Sequence, residues 1–288
     1  MIDGGTGTGL GKNIKSAYRW LAATYKPGDR IFLIGFSRGA YTVRSLGGMV
    51  SRCGLADLPW TNAPKQAWDA VDRIYDEYRW KETSAITASA DLPFHNAAMG
   101  SLPTKTTPIH FIGVWDTVGA LGIPLSGWPL VDLFNRRWQF HDTTLSSTVH
   151  AAFQALAIDE QRAPFRPTLW TQSPDAPDTQ RLEQVWFAGV HSDVGGGYPE
   201  HQLSDITLRW MVERARSCGL EFRSDAFSIQ PPTPPDRAGT EPIVNAYTSI
   251  EPNALGPIHT SRKGFYRLMR PYVRAIGGTD PRHEYVAS

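Results

Sequence analysis

The stretch IFLIGFSRGAY at 31–41 constrains this chain more than any other. Ile31, Phe32, Leu33 and Ile34 form a continuous apolar run, the pattern of a strand covered on both faces inside a parallel sheet. Gly35-Phe36-Ser37-Arg38-Gly39 follows as G-x-S-x-G, and 40–46 can continue as a helix. Strand, sharp turn and helix in that order are the context of a nucleophile elbow, where the serine backbone is strained and its Oγ stands clear at the sheet edge. Glycines two residues to either side of Ser37 are expected to let strand and helix approach without a Cβ clash.

Two further apolar runs, at 109–115 and 184–190, read as buried strands and end at Asp116 and His191. Between them the pattern predicts a helix over 14–25 capped by Asn13, and helical character over 146–159. It also predicts a helix over 205–218 closed by Gly219. A helix over 66–80 places Trp68, Val71, Tyr75 and Tyr78 on one face, most simply a core stripe. The polar stretch 81–107 reads as an insertion, the proline-rich 231–257 as a loop or arm, and the apolar 121–140 as the lining of an acyl pocket. The glycine-rich start MIDGGTGTGLG has neither P-loop nor dinucleotide spacing and reads as a surface loop. Strands separated by helical stretches imply a mostly parallel sheet with helices on both faces, taken as a single α/β domain over 1–288.

In such sheets functional residues gather at the carboxyl ends of the strands. Three strands deliver three chemical types there: Ser37, Asp116 and His191. The order Ser, Asp, His is that of α/β-hydrolases, with His191 as general base, Asp116 as the residue that fixes its tautomer, and the Arg38 backbone N–H as an oxyanion donor. Asp193 is the rival acid, although an aspartate two residues from a histidine rarely folds back onto the same ring; it is expected to shape the loop or bind an ion. His110 is placed inside a strand and buried. His95, His141, His150, His201, His259 and His283 are placed in loops or helices without matching partners.

Composition removes several classes. A net charge of +1 offers no broad basic surface, so nucleic acid is not an expected partner. Two cysteines, Cys53 and Cys218, make neither a disulfide framework nor a thiolate metal site, and there is no H-E-x-x-H, so no metal or cofactor is expected. No apolar run reaches the roughly 18 residues of a membrane span and no signal-peptide pattern opens the chain, which suggests synthesis in the cytoplasm.

Four motifs in register, GFSRGAYTVRSLGG, FIGVWDTVGALG, ALAIDEQRAPFRPTLW and VWFAGVHSDVGGGYPE, resemble the α/β-hydrolase domain of phospholipase effectors of bacterial type VI secretion. The similarity runs from about Asn13 to Leu220. It implies hydrolysis of phospholipid acyl esters, with the family's serine, aspartate and histidine at Ser37, Asp116 and His191. It also implies a membrane surface as the place of action, delivery by secretion, and secretion-apparatus or immunity proteins as partners. Family members usually start with a further strand ending in an Asp-Gly-Thr type loop and continue past the residues equivalent to Tyr285-Val286-Ala287-Ser288. The domain is therefore expected to be short at both ends, with a second oxyanion donor from upstream or from Asp3-Gly4-Gly5-Thr6. A non-catalytic interaction module on the same frame and a peptide or thioester hydrolase remain the alternatives.

Overall fold

The computed structural model describes residues 8–59, 64–80, 92–95, 108–118, 143–223, 226, 250–279 and 281–287. The glycine-rich start through Gly7, the acyl-pocket segment 121–140, nearly all of the insertion 81–107 and most of the proline-rich stretch lie outside them. So does His141.

The chain enters as α1 (Thr8–Thr24), then β1 (Phe32–Phe36), α2 (Arg38–Cys53) and α3 (Pro64–Trp80). It continues as β2 (Phe111–Trp115), β3 (Thr144–Leu145), β4 (Ala151–Ala157), β5 (Thr171–Gln172) and β6 (Arg181–Phe187). The short α4 (His191–Gly195), the longer α5 (Gln202–Ser217) and β7 (Glu284–Val286) complete the order. Five strands form one sheet in the order β1-β2-β4-β6-β7, every neighbouring pair parallel, and β3 with β5 makes a separate two-stranded piece.

Side chains leave successive strand residues on opposite faces, and two helical layers divide them. Leu33, Ile112, Val114 and Ala152 pack with Ile14, Tyr18, Met49, Val71 and Ile74 of α1, α2 and α3. Phe111, Ala151 and Phe153 turn the other way, onto Met211 and Ala215 of α5. The centre of the sheet, β2 and β4, is thus covered on both faces; β1 ends the described sheet and leaves Ile34 48% exposed, so the cover expected on both of its faces is incomplete. Tyr18, fully buried, donates its hydroxyl to Gly54 O at 2.8 Å and accepts from Ala56 N–H at 3.0 Å, tying α1 to the end of α2.

Several expectations change. The stretch 146–159 is not helical: it supplies β4, a central strand buried along its whole length. Its alanines favour a helix in isolation, but pairing with β2 on one side and β6 on the other overrides propensity. Asn13 does not cap α1, which already begins at Thr8. In α3 the buried stripe is Ala67, Ala70, Val71, Ile74 and Tyr75, while Trp68 is 38% exposed and lies off it. β7 carried no sequence signal at all: three residues, mostly exposed, extend the sheet beyond β6.

Candidate active site

The turn between β1 and α2 is forced by its residues. Ser37 adopts φ 56°, ψ −117°, a conformation L residues rarely hold, and its N–H donates to Trp115 O at 3.0 Å on the next strand. A Cβ at Gly35 would stand 2.6 Å from the backbone carbonyl group of Gly39 and 2.8 Å from Ala40 N, so Gly35 must be glycine for β1 and α2 to close. Gly39 is different: a Cβ there meets nothing within 4 Å. The expected steric role therefore belongs to Gly35 alone. Arg38 opens α2, so its N–H belongs to the first turn, where N–H groups have no acceptor four residues back in the helix.

Asp116 follows β2 with φ 39° and is completely buried. Its N–H donates to Ala155 O at 2.8 Å, and its Oδ1 accepts from Ala157 N–H at 3.1 Å, so β4 holds the loop from the side. His191 begins α4 after the end of β6, and its backbone N–H donates to Glu160 Oε2 at 3.3 Å. Gly189 precedes it at φ 111°, with Asp193 Cβ 2.5 Å from where its own Cβ would be. The imidazole lies between two rings, Phe36 at 4.6 Å and Phe165 at 5.0 Å.

The three side chains meet. His191 Nδ1 is 2.6 Å from Asp116 Oδ2, and His191 Nε2 is 2.9 Å from Ser37 Oγ. A carboxylate only accepts, so the proton sits on Nδ1, which leaves Nε2 to accept from the Ser37 hydroxyl.

Asp116 has a further partner that its sequence neighbourhood did not announce. Arg274 donates from Nη1 to Asp116 Oδ1 at 2.5 Å and from Nη2 to Asp116 Oδ2 at 3.0 Å. Burial pushes the Asp116 carboxyl up, but the Arg274 guanidinium and the hydrogen bonds from His191 and Arg274 outweigh it and hold the group well below the usual carboxylate range. Arg274 belongs to no motif. Its one sequence signal is that 252–279 carries five Lys or Arg and no Asp or Glu, so a buried guanidinium there must find its carboxylate far away in the chain.

Asp193 takes the loop-shaping role. Its Oδ2 accepts from Val190 N–H at 2.9 Å and His259 N–H at 3.0 Å, and its Oδ1 lies 2.6 Å from His259 Nδ1. Other histidines expected to stand alone also have partners: His95 with Ala22 O at 3.1 Å, His201 with Asp205 at 2.5 Å and His283 with Gln172 at 3.1 Å. His110 precedes β2 and is only partly buried, with the His150 ring 5.4 Å away. Cys53 and Cys218 are both buried and neither is in a disulfide. Among the described residues no group of three or more His, Cys, Asp or Glu could hold a metal ion, and no helix is long and apolar enough to cross a membrane.

Comparison with known proteins places this chain in a family. An uncharacterized protein of Saccharomyces cerevisiae (YEL023C) is 28% identical over 241 residues, covering 83% of this chain and 32% of its own. The chain thus spans about a third of the length of that curated relative. A solved structure of the Tle1 effector bound to the VgrG spike from the Type 6 secretion system is 20% identical with a TM-score of 0.35, covering 67% of this chain and 31% of the other. An uncharacterized protein from Pseudomonas aeruginosa is 21% identical with a TM-score of 0.35, covering 74% and 27%. The model of the family described as "T6SS, Phospholipase effector Tle1-like, catalytic domain" matches residues 1–214, most of the chain, and the protein belongs to that family.

Proposed function

We propose that the chain is a serine hydrolase that cleaves carboxylic esters, phospholipid acyl esters first among them, through Ser37, His191 and Asp116. The observation that carries this reading is the unbroken relay from Asp116 Oδ2 to His191 Nδ1 and from His191 Nε2 to Ser37 Oγ, ending on a strained serine between strand and helix. Membership of a phospholipase effector family supports the choice of ester.

The chemistry follows from that order. As Ser37 Oγ attacks the ester carbonyl carbon, its proton passes to His191 Nε2, and the Asp116 carboxylate stabilises the imidazolium. The carbonyl oxygen becomes an oxyanion that the Arg38 N–H can meet from the first turn of α2. Nε2 then gives its proton to the leaving alcohol, here the lysophospholipid, as the C–O bond breaks and the acyl group stays on Ser37. Water enters, loses a proton to Nε2 and attacks the acyl carbon. The Ser37 Oγ–acyl bond breaks, the proton returns to Ser37, and a fatty acid leaves. No cofactor enters this scheme.

Incubation with phosphatidylglycerol and phosphatidylcholine vesicles, read by mass spectrometry, should release free fatty acid and lysophospholipid in equal amounts. Ser37→Ala should release neither. Release that survives in Ser37→Ala would refute the assignment, and turnover of short soluble esters but no phospholipid would narrow the substrate class to simple esters.

A further inference from the structure

The segment 250–279 carries no catalytic motif, yet it is pinned at three points to the residues around His191. His259 meets Asp193, two residues after His191, by side chain at 2.6 Å and backbone at 3.0 Å. Ser261 Oγ donates to Glu160 Oε1 at 2.9 Å, and Glu160 is the carboxylate that accepts from His191 N–H. Tyr272 N–H donates to Gln161 O at 2.9 Å. Two residues later Arg274 turns inward until 5% of it is exposed.

There both terminal nitrogens are engaged, while the buried Nε has no partner among the described residues. Nη1 reaches Asp116 Oδ1 and Ala157 O, at 2.5 and 2.7 Å; Nη2 reaches Asp116 Oδ2 and Phe165 O, at 3.0 and 2.6 Å. A carboxylate torsion is intrinsically broad, and a planar guanidinium engaging both oxygens removes that freedom in a way a point charge does not. The two backbone carbonyls fix the guanidinium in turn.

We infer that Arg274 is a positioning residue of the relay: it locks the rotation of the Asp116 carboxylate that orients His191, so the segment 258–274 is part of the active-site construction although it lies beyond the matched family region. The inference rests on the serine-hydrolase reading above. It has an electrostatic consequence as well. The titratable groups facing Asp116 are His191 from α4 and Arg274; Glu160, nearby at the His191 backbone, is already engaged by Arg162 at 2.8 Å. Without Arg274, burial of Asp116 is opposed by His191 and the Ala157 N–H without a neighbouring guanidinium, and the carboxyl takes up a proton at higher pH.

The test is hydrolysis of p-nitrophenyl butyrate as a function of pH by wild type, Arg274→Gln, Arg274→Lys, Asp116→Asn and the double variant Asp116→Asn/Arg274→Gln. Arg274→Gln should lower kcat on the order of 10²-fold with KM little changed, because a misplaced catalytic group costs that much. Its acid limb should also move to higher pH, and Arg274→Lys should recover part of both losses. A folded Arg274→Gln with the wild-type kcat and pH profile would overturn the inference. If Arg274→Gln does not fold, the charge-balanced double variant decides. Its kcat should equal that of Asp116→Asn, since Arg274 acts through Asp116, and a further large loss would mean that it acts elsewhere. Fluorophosphonate labelling separates the two layers: an unlabelled wild type would sink the hydrolase reading, whereas a labelled wild type with an unaffected Arg274→Gln sinks this inference alone.

Discussion

Ser37 and Asp116, at the carboxyl ends of the adjacent parallel strands β1 and β2, are the two described non-glycine residues with positive φ, 56° and 39°. The same backbone step links them, since Ser37 N–H donates to the carbonyl of Trp115, the residue before Asp116. Such conformations cost on the order of 1–3 kcal/mol each, and the sheet supplies the constraint that maintains them. Ser37→Gly should relieve that strain, offset by about 0.5–1 kcal/mol of added backbone entropy. The expected outcome is a Tm above that of wild type together with complete loss of esterase activity. A lower Tm by calorimetry would show that the Ser37 backbone is not strained.

The two elbow glycines should behave oppositely. Gly35→Ala would put its Cβ 2.6 Å from the Gly39 backbone, where no flexible side chain can yield. It should yield little soluble protein or a sharply lowered Tm. Gly39→Ala meets nothing within 4 Å and lies inside α2, so its stability should match or exceed wild type, by up to about 1 kcal/mol from helix propensity. Denaturant titration of the pair tests this, and equal sensitivity at the two positions would contradict it.

The Asp116–Arg274 pair should be costly to break and cheap to remove. Either single neutralisation leaves a buried charge uncompensated, which typically costs about 3–5 kcal/mol. Asp116→Asn/Arg274→Gln should lose much less than the sum of the single variants. Additive losses in urea unfolding would mean that the two groups do not interact in solution. Asp116→Asn should also lower kcat by as much as about 10⁴-fold, the size of that loss in a serine protease triad.

Acidification should separate activity from stability. The folded-state pKa of Asp116 is depressed, so its contribution to stability is present above its unfolded-state value and is lost only as pH falls through the folded value, below the usual carboxylate range. Asp116 should therefore stay ionised across the acid limb of kcat/KM, which should reflect uptake of a single proton elsewhere, with circular dichroism unchanged across it. A limb of slope two, or unfolding coincident with it, would show that Asp116 is not held in its ionised form.

What the sequence revealed follows the locality of each signal. β1 and β2 announce themselves by continuous apolar runs, β6 only by its apolar second half, Val185-Trp186-Phe187, and Gly35 and Ser37 announce the turn because the chain must reverse within a few residues. β4 did not, since alanine-rich AAFQALA carries helix propensity and only its neighbours make it a strand. Ser37, Asp116 and His191 were legible as residues at strand ends, without any information on distance. Arg274 was not: its contact with Asp116 spans 158 residues, on a segment also held by the His259–Asp193 and Ser261–Glu160 contacts. Tertiary ion pairs of that span leave no local pattern.

The central claim is that His191 activates Ser37 as the nucleophile. Its most direct test is incubation with a fluorophosphonate at neutral pH, followed by intact-mass measurement and peptide mapping. The expected result is one adduct per chain on Ser37, absent in Ser37→Ala and formed far more slowly in His191→Ala. No adduct on the folded wild type, or an adduct mapped to another residue, would contradict the account.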